Sequence, residues 1–134
     1  MVIGLSYSSA QTLYDQLGGS ARVNQLVQAF YPRVLKDPDL SPLFVDGIDE
    51  IMRKQKLFLT QFLGGPILYS EEFGPPAMRA RHLPFVVTPR RAKAWLKCME
   101  EAMDEVGIQG SVHDEIIIRL SQVAFQMINS PDRD

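Results

Sequence analysis

The chain has 134 residues, 46% of them hydrophobic and 22% charged, with a formal net charge of −2. That length holds one core and not two, and that composition excludes wholesale disorder. A near-neutral chain is not built for bulk binding to nucleic acid or anionic membrane, and no apolar run approaches the roughly 18 residues of a spanning helix.

The N-terminus, MVIGLSYSSAQ, lacks the charged and apolar regions of a signal peptide, so residues 1–11 read as an N-terminal extension. Cys98 is the single cysteine and cannot form an internal disulfide, which fits a reducing compartment and a cytoplasmic location. One thiol and two histidines also fall short of a cysteine-based zinc site.

Proline placement leaves three long windows, 1–31, 43–65 and 90–130, as helix candidates. Thr12 with Asp15 predicts a capping box on a short helix through Gln16, stopped by Gly18 and Gly19. Ser20 is then expected to cap a second helix, whose apolar face reads Val23, Leu26, Val27, Phe30, Tyr31 and Val34. Pro32 inside that pattern predicts a kink, or a helix end just before it. A third helix is expected from near Asp46 or Asp49 to Leu63. Its face is Ile48, Ile51, Met52, Phe58, Leu59 and Phe62, and Gly64, Gly65 and Pro66 end it.

Residues 66–88 read as irregular, with a short helix from Pro76 to His82. Thr88-Pro89 starts the next helix, with Ala92, Trp95, Leu96, Met99, Ala102, Met103 and Val106 inward and Gly107 as its stop. Ser111 is expected to start the last one, whose face is Val112, Ile116, Leu120, Val123 and Met127. No strand pattern of useful length occurs. The predicted class is all-α, about five helices around one core.

Several residues break these patterns. Gln55 lies on the apolar stripe of the third helix, between Ile51 and Phe58; it is either a rim residue reaching solvent or a buried amide in need of partners. Trp95, the only tryptophan, faces inward and carries a donor with no acceptor capacity. It is either a core tryptophan bonded to a carbonyl or part of a polar spot. Tyr31 adds a third polar tip on a third helix. Apolar walls with a few converging polar groups are typical of ligand sites. His82 ends a short helix and is a candidate metal ligand. His113 falls in the first turn of the last helix, where a solvated side chain is expected. Residues 73–99 contain Arg79, Arg81, Arg90, Arg91, Lys93 and Lys97 without one acid. This run is either a solvated face or an anion site beside His82.

The stretches LYDQLGG, AFYPRVL, LFLTQFLGGP…YSEEFG, RARHLPF and AWLKCM, in this order and spacing, resemble the group II truncated haemoglobins over residues 12–130. Residues 131–134 would then be a C-terminal tail. The resemblance implies a globin-like, two-over-two helical sandwich around haem b, with Thr12–Gln16 as the shortened first helix. It makes His82 the proximal iron ligand and places Tyr31, Gln55 and Trp95 on the distal side. Phe44 and Phe58 match aromatics packed on the haem, and Lys54, Tyr69 and Arg81 match positions that reach its propionates. Ile51 stands where the family usually has a small or polar residue, at the distal-histidine position of ordinary globins. It cannot hydrogen-bond a ligand, and it narrows the side entrance.

The function so implied is reversible binding of O₂ and other diatomic ligands, with high affinity and slow release. The alternative is enzymatic: peroxide-dependent oxidation or nitric oxide dioxygenation, with an external reductase because the chain carries no reductase domain. Neither nucleic acid nor membrane is an expected partner, and the chain is read as a monomer or homodimer.

Overall fold

The computed structural model describes residues 11–132; the first ten residues of the expected N-terminal extension and the last two of the tail lie outside them. The helices are α1 (Leu13–Leu17), α2 (Gly19–Lys36), α3 (Ile48–Phe62), α4 (Leu68–Phe73), α5 (Met78–His82), α6 (Pro89–Glu105) and α7 (Gly110–Gln126), with a 3₁₀ turn at Ser41–Leu43. The expected all-α class is the observed one. Seven α-helices form among the described residues against about five expected; six match segments outlined above, and the seventh, α4, forms in a segment read as irregular.

Helices α2 and α3 form one packed pair and α6 and α7 another, and α2 lies against α6 to join them. Phe30, Leu26, Leu59, Leu63, Met99, Met103, Ile116 and Leu120 are fully buried in the shared core. They come from the predicted inward stripes, with Leu63 just past the end of α3. Cys98 is buried in the same core, and burial pushes its thiol up to about 11. No described helix is long and apolar enough to cross a membrane.

Local chemistry sets most of the helix ends. The Asp15 N–H donates to Thr12 Oγ1 at 3.1 Å and the Thr12 N–H to Asp15 Oδ2 at 3.3 Å, closing the capping box. Gly18, at φ 125°, turns the chain so tightly that α2 begins at Gly19. Ser20 is therefore inside the first turn and not the cap expected of it. Pro32 does not end α2, which runs on to Lys36. Pro32 and Gln28, four residues earlier, are both exposed, so the carbonyl that loses its intrahelical partner faces water. Gly47, at φ 68°, precedes α3, and Asp49 and Glu50 occupy its first turn, where the helix dipole favours acids. Gln109 occupies the cap position of α7, which starts at Gly110, one residue ahead of the Ser111 start expected from sequence.

Helix α4 depends on tertiary contacts. Gln61 on α3 accepts from the Ser70 N–H at 2.8 Å and donates to the Ser70 hydroxyl at 2.7 Å. Arg53 on α3 pairs with Glu72 on α4 as well as with Glu50. Six residues cannot hold a helix alone in water, and no local pattern advertised this one.

The glycine pair after α3 is where that helix docks on α1. The Tyr14 N–H donates to the Leu63 carbonyl at 2.8 Å. A Cβ on Gly65 would sit 2.8 Å from both the Thr60 carbonyl oxygen and the Tyr14 ring, and one on Gly64 would sit 2.8 Å from Thr12 Cβ. Gly65→Ala is therefore expected to destabilise the fold by about 1–3 kcal/mol through forced separation of α1 from α3. Chemical denaturation checks this, with a lowered midpoint at unchanged slope as the expected result.

Candidate functional site

A cavity of about 520 Å³ opens between the helix pairs, walled by residues from α2 to α7 and from the 3₁₀ turn. Tyr31, Phe44, Ile51, Lys54, Gln55, Phe58, Tyr69, Arg81, His82 and Trp95, singled out from sequence, all line it. Their periodicity explains the gathering: Ile51, Gln55 and Phe58 share the α3 stripe, and Ala92 and Trp95 share that of α6. These stripe residues are only half-buried, apart from Ala92, because the stripe faces the cavity instead of another helix.

His82 sits at the C-terminal end of α5. Its Nδ1 lies 2.7 Å from the Met78 carbonyl oxygen, one helical turn earlier. A carbonyl can only accept, so Nδ1 carries the proton and Nε2 keeps its lone pair. That is the arrangement by which an imidazole is oriented as a metal ligand. The loop after His82 is fixed by Asn129, whose amide donates to the Phe85 carbonyl at 2.9 Å and to the His82 carbonyl at 3.3 Å. Asn129 Oδ1 accepts from the Val87 N–H at 3.0 Å.

Three hydrogen-bonding tips reach the cavity from three helices. Tyr31 is 2% exposed, and its hydroxyl donates to Gln55 Oε1 at a long 3.4 Å. Burial raises the Tyr31 phenol well above its ordinary range, so it stays protonated. Gln55 is thus a partly buried amide with a named partner, and its own NH₂ is a second donor. The Trp95 indole makes no hydrogen bond among the described residues; its ring packs edge-on to Phe30 at 5.3 Å between centroids. Phe30 in turn meets Tyr31 at 4.9 Å, and Tyr31 meets Phe44 at 5.9 Å, giving a continuous aromatic wall. Ile51 adds an apolar surface without a donor.

The mouth is cationic. Arg81 lies over the Tyr69 ring at 5.3 Å and donates to the Phe73, Pro75 and Pro76 carbonyls, which leaves Nη1 uncommitted. Lys54 Nζ lies over the Phe73 ring at 5.2 Å. Arg91 belongs to the basic run at 73–99, where nothing in the sequence distinguishes it from its neighbours. It lines the cavity while donating to the Asp39 and Val86 carbonyls. Val123 and Met127, on the expected inward face of the last helix, also line the cavity, as does Met78, which no pattern marked.

His113 does not lie in the cavity, but neither is it solvated as expected. Its side chain is 14% exposed, with Nδ1 3.0 Å from the Asp114 carboxylate and Nε2 facing Glu100 and Asp104. Helix α6 supplies those two acids, which its own sequence could not place beside α7. Among the described residues, no cluster of three or more His, Cys, Asp or Glu side chains is arranged to hold a metal.

The cavity fits a flat, mostly apolar group that carries carboxylates. Its walls are apolar and aromatic, one imidazole nitrogen is oriented to ligate, and Lys54, Arg81 and Arg91 stand at the rim.

The bacterial-like globin family model matches residues 12–129. The group 2 truncated haemoglobin YjbI of Bacillus subtilis is 49% identical over 116 residues, covering 87% of this chain and 88% of that one. The crystal structure of the group II truncated haemoglobin from Bacillus anthracis is similar at TM-score 0.90 and 51% identity, covering 92% of this chain and 95% of that one. The X-ray structure of the truncated oxygen-avid haemoglobin from Bacillus subtilis is similar at TM-score 0.85 and 49% identity, covering 89% and 100%. Matches that span nearly the whole chain, joined to a helical sandwich with an imidazole in its cavity, make this chain a member of the truncated haemoglobin family, in its group II branch.

Proposed function

We propose that this chain is a haem b protein that binds O₂ and other diatomic ligands reversibly, with high affinity and slow release. The observation that carries the reading is the pairing, in one cavity, of an oriented imidazole at His82 with donor tips from Tyr31, Gln55 and Trp95. Haem b supplies an iron with one position open to a diatomic ligand. His82 would hold it through Nε2, and Lys54, Arg81 and Arg91 would receive its carboxylates. Phe44 and Phe58 would pack against its faces or edge.

The three tips would act on the ligand. Trp95 donates only, the Tyr31 hydroxyl can turn from its long bond to Gln55, and the Gln55 amide donates through nitrogen. Donors aimed at a ligand with partial negative charge hold it in place. Ile51 and the aromatic wall exclude water. The high affinity of the reading is supported by likeness to the oxygen-avid haemoglobin of Bacillus subtilis. Peroxide chemistry is less well served, because among the described residues the cavity lining contributes no carboxylate and no second imidazole to move a proton. Cytoplasmic location remains part of the proposal, resting on the single cysteine.

His82→Ala is expected to lose stable haem, with recovery on added imidazole, while His113→Ala leaves the absorption spectrum unchanged. The reverse pattern removes His82 from its role. Trp95→Phe, Tyr31→Phe and Gln55→Leu are each expected to speed O₂ release about five- to tenfold, the effect of one net hydrogen bond of about 1–1.5 kcal/mol. Stopped-flow ligand replacement measures the rates, and three unchanged values would refute donor stabilisation.

The buried phenol gives a pH test. Its folded pKa lies above the unfolded value of about 10, so above pH 10 the unfolded state loses this proton while the folded state keeps it. Stability then falls as pH rises, by up to about 1.4 kcal/mol per pH unit for one proton. Tyr31→Phe should reduce that slope in urea unfolding between pH 9 and 11.

A further inference from the structure

Helix α5 carries His82 but does not fix its own place. It has five residues, is entered from Ala77 in the left-handed region at φ 42°, and is too short to persist alone. The His82 imidazole bonds to its own helix, Nδ1 to the Met78 carbonyl, so Nε2 moves with the backbone of residues 78–82. Whatever holds that backbone sets where Nε2 points.

The end of α7 and the segment after it grip α5 on both sides. Before His82, Arg79 donates to the carbonyls of Gln126, the last residue of α7, and of Ile128. A helix C-terminus leaves carbonyls unpaired and favours a cation, so this anchor suits both partners. After His82, Asn129 commits its whole amide. Its Nδ2 donates to the Phe85 carbonyl at 2.9 Å and to the His82 carbonyl at 3.3 Å. Its Oδ1 accepts from the Val87 N–H at 3.0 Å and from the Ser130 hydroxyl at 2.9 Å. Its backbone N–H donates to the Val87 carbonyl at 2.9 Å. Phe85, held in this way, faces the His82 ring edge-on at 6.4 Å between centroids. Other side chains cannot repeat this set at the same reach. Aspartate has no donor, leucine has no polar atom, and glutamine carries its amide one carbon further out.

We propose that Asn129 is a positioning residue for the iron ligand: acting through the His82 and Phe85 backbone, it sets how Nε2 meets the haem iron, and with it the strength of that bond. The inference rests on the haem reading above. Partners behind a metal ligand orient it and tune its hold on the metal. Asn129 does this from outside the cavity lining, through backbone alone, whereas Tyr31, Gln55 and Trp95 would act on the bound diatomic ligand directly. The cavity thereby has two separate controls, one on the iron ligand and one on the gas.

The test uses the full chain loaded with haem. Resonance Raman spectra of the ferrous, ligand-free form read the iron–imidazole stretch, and transfer to excess apomyoglobin reads haem loss. Asn129→Leu, close in size but without polar atoms, should shift and broaden the band and speed haem loss about tenfold or more, the usual effect of removing a partner behind a metal ligand. Asn129→Asp keeps the acceptor for Val87 but turns a carboxylate on the two carbonyls; it should displace the band as well, and it serves if the leucine variant folds poorly. Gly65→Ala, which weakens the fold at α1 and α3, is the control. Its band should coincide with that of the unaltered chain even at a denaturation midpoint as low as that of the Asn129 variants. An unmoved band in a folded Asn129 variant overturns the proposal. So does an equal shift in Gly65→Ala, which would reduce Asn129 to general stability. Failure of the unaltered chain to take up haem refutes the haem reading and this inference with it. Haem uptake with an unmoved band in the Asn129 variants refutes this inference alone.

Discussion

A chain of 134 residues has to build a stable core and, within it, wall a cavity of about 520 Å³. Apolar side chains facing that cavity do not contribute their full burial to folding, so rigidity has to come from the remaining contacts. Leu26, Met99 and Met103 carry it where α2 lies against α6, and Phe30 packs directly behind the cavity wall. Arg22 adds a tie at the same junction by donating to the Val106 carbonyl at 2.9 Å. The cavity is thus the space left between helix pairs that are clamped elsewhere.

The two sides of the cavity are held by different physics. The side of Tyr31, Phe44 and Trp95 is an aromatic wall anchored on Phe30, whose ring is wholly buried. The His82 side is a five-residue helix that could not persist alone. It is held by side chains that satisfy backbone carbonyls: Arg79 and Arg81 on it, Arg91 and Asn129 around it. Charged donors to carbonyls are strong and directional. They position a short irregular segment without the apolar area that it lacks. Much of the basic run noticed in the sequence therefore serves local architecture, and the remainder, chiefly Arg90 and Lys93, is left to face outward.

Polar groups follow the same economy. Tyr31 and Gln55 share one long hydrogen bond, and Trp95 has none among the described residues. Three donors kept loosely engaged in an otherwise apolar cavity are available to a ligand without first breaking a strong internal network. Replacing Ile51 by a polar residue would add a fourth group to that set. Its present side chain keeps the donors to one from each of three helices.

What the sequence determined by itself was periodic or local. The stripes of α2, α3, α6 and α7, the Thr12–Asp15 capping box and the Thr88-Pro89 start are set by interactions within a few residues, so they can be read along the chain. The stripes also carried Gln55 and Trp95, visible because a polar tip on an apolar face stands out against its neighbours. Order and spacing of the motifs then indicated the family. Tertiary structure alone decided the rest. Helix α4 exists because Gln61 and Arg53 reach it from α3. His113 is enclosed because α6 brings Glu100 and Asp104 beside α7. The Gly64–Gly65 pair reads as a helix stop in sequence, yet only the fold shows that its missing side chains make room for Thr12 and Tyr14. Each of these depends on partners distant along the chain, whose positions no local propensity encodes.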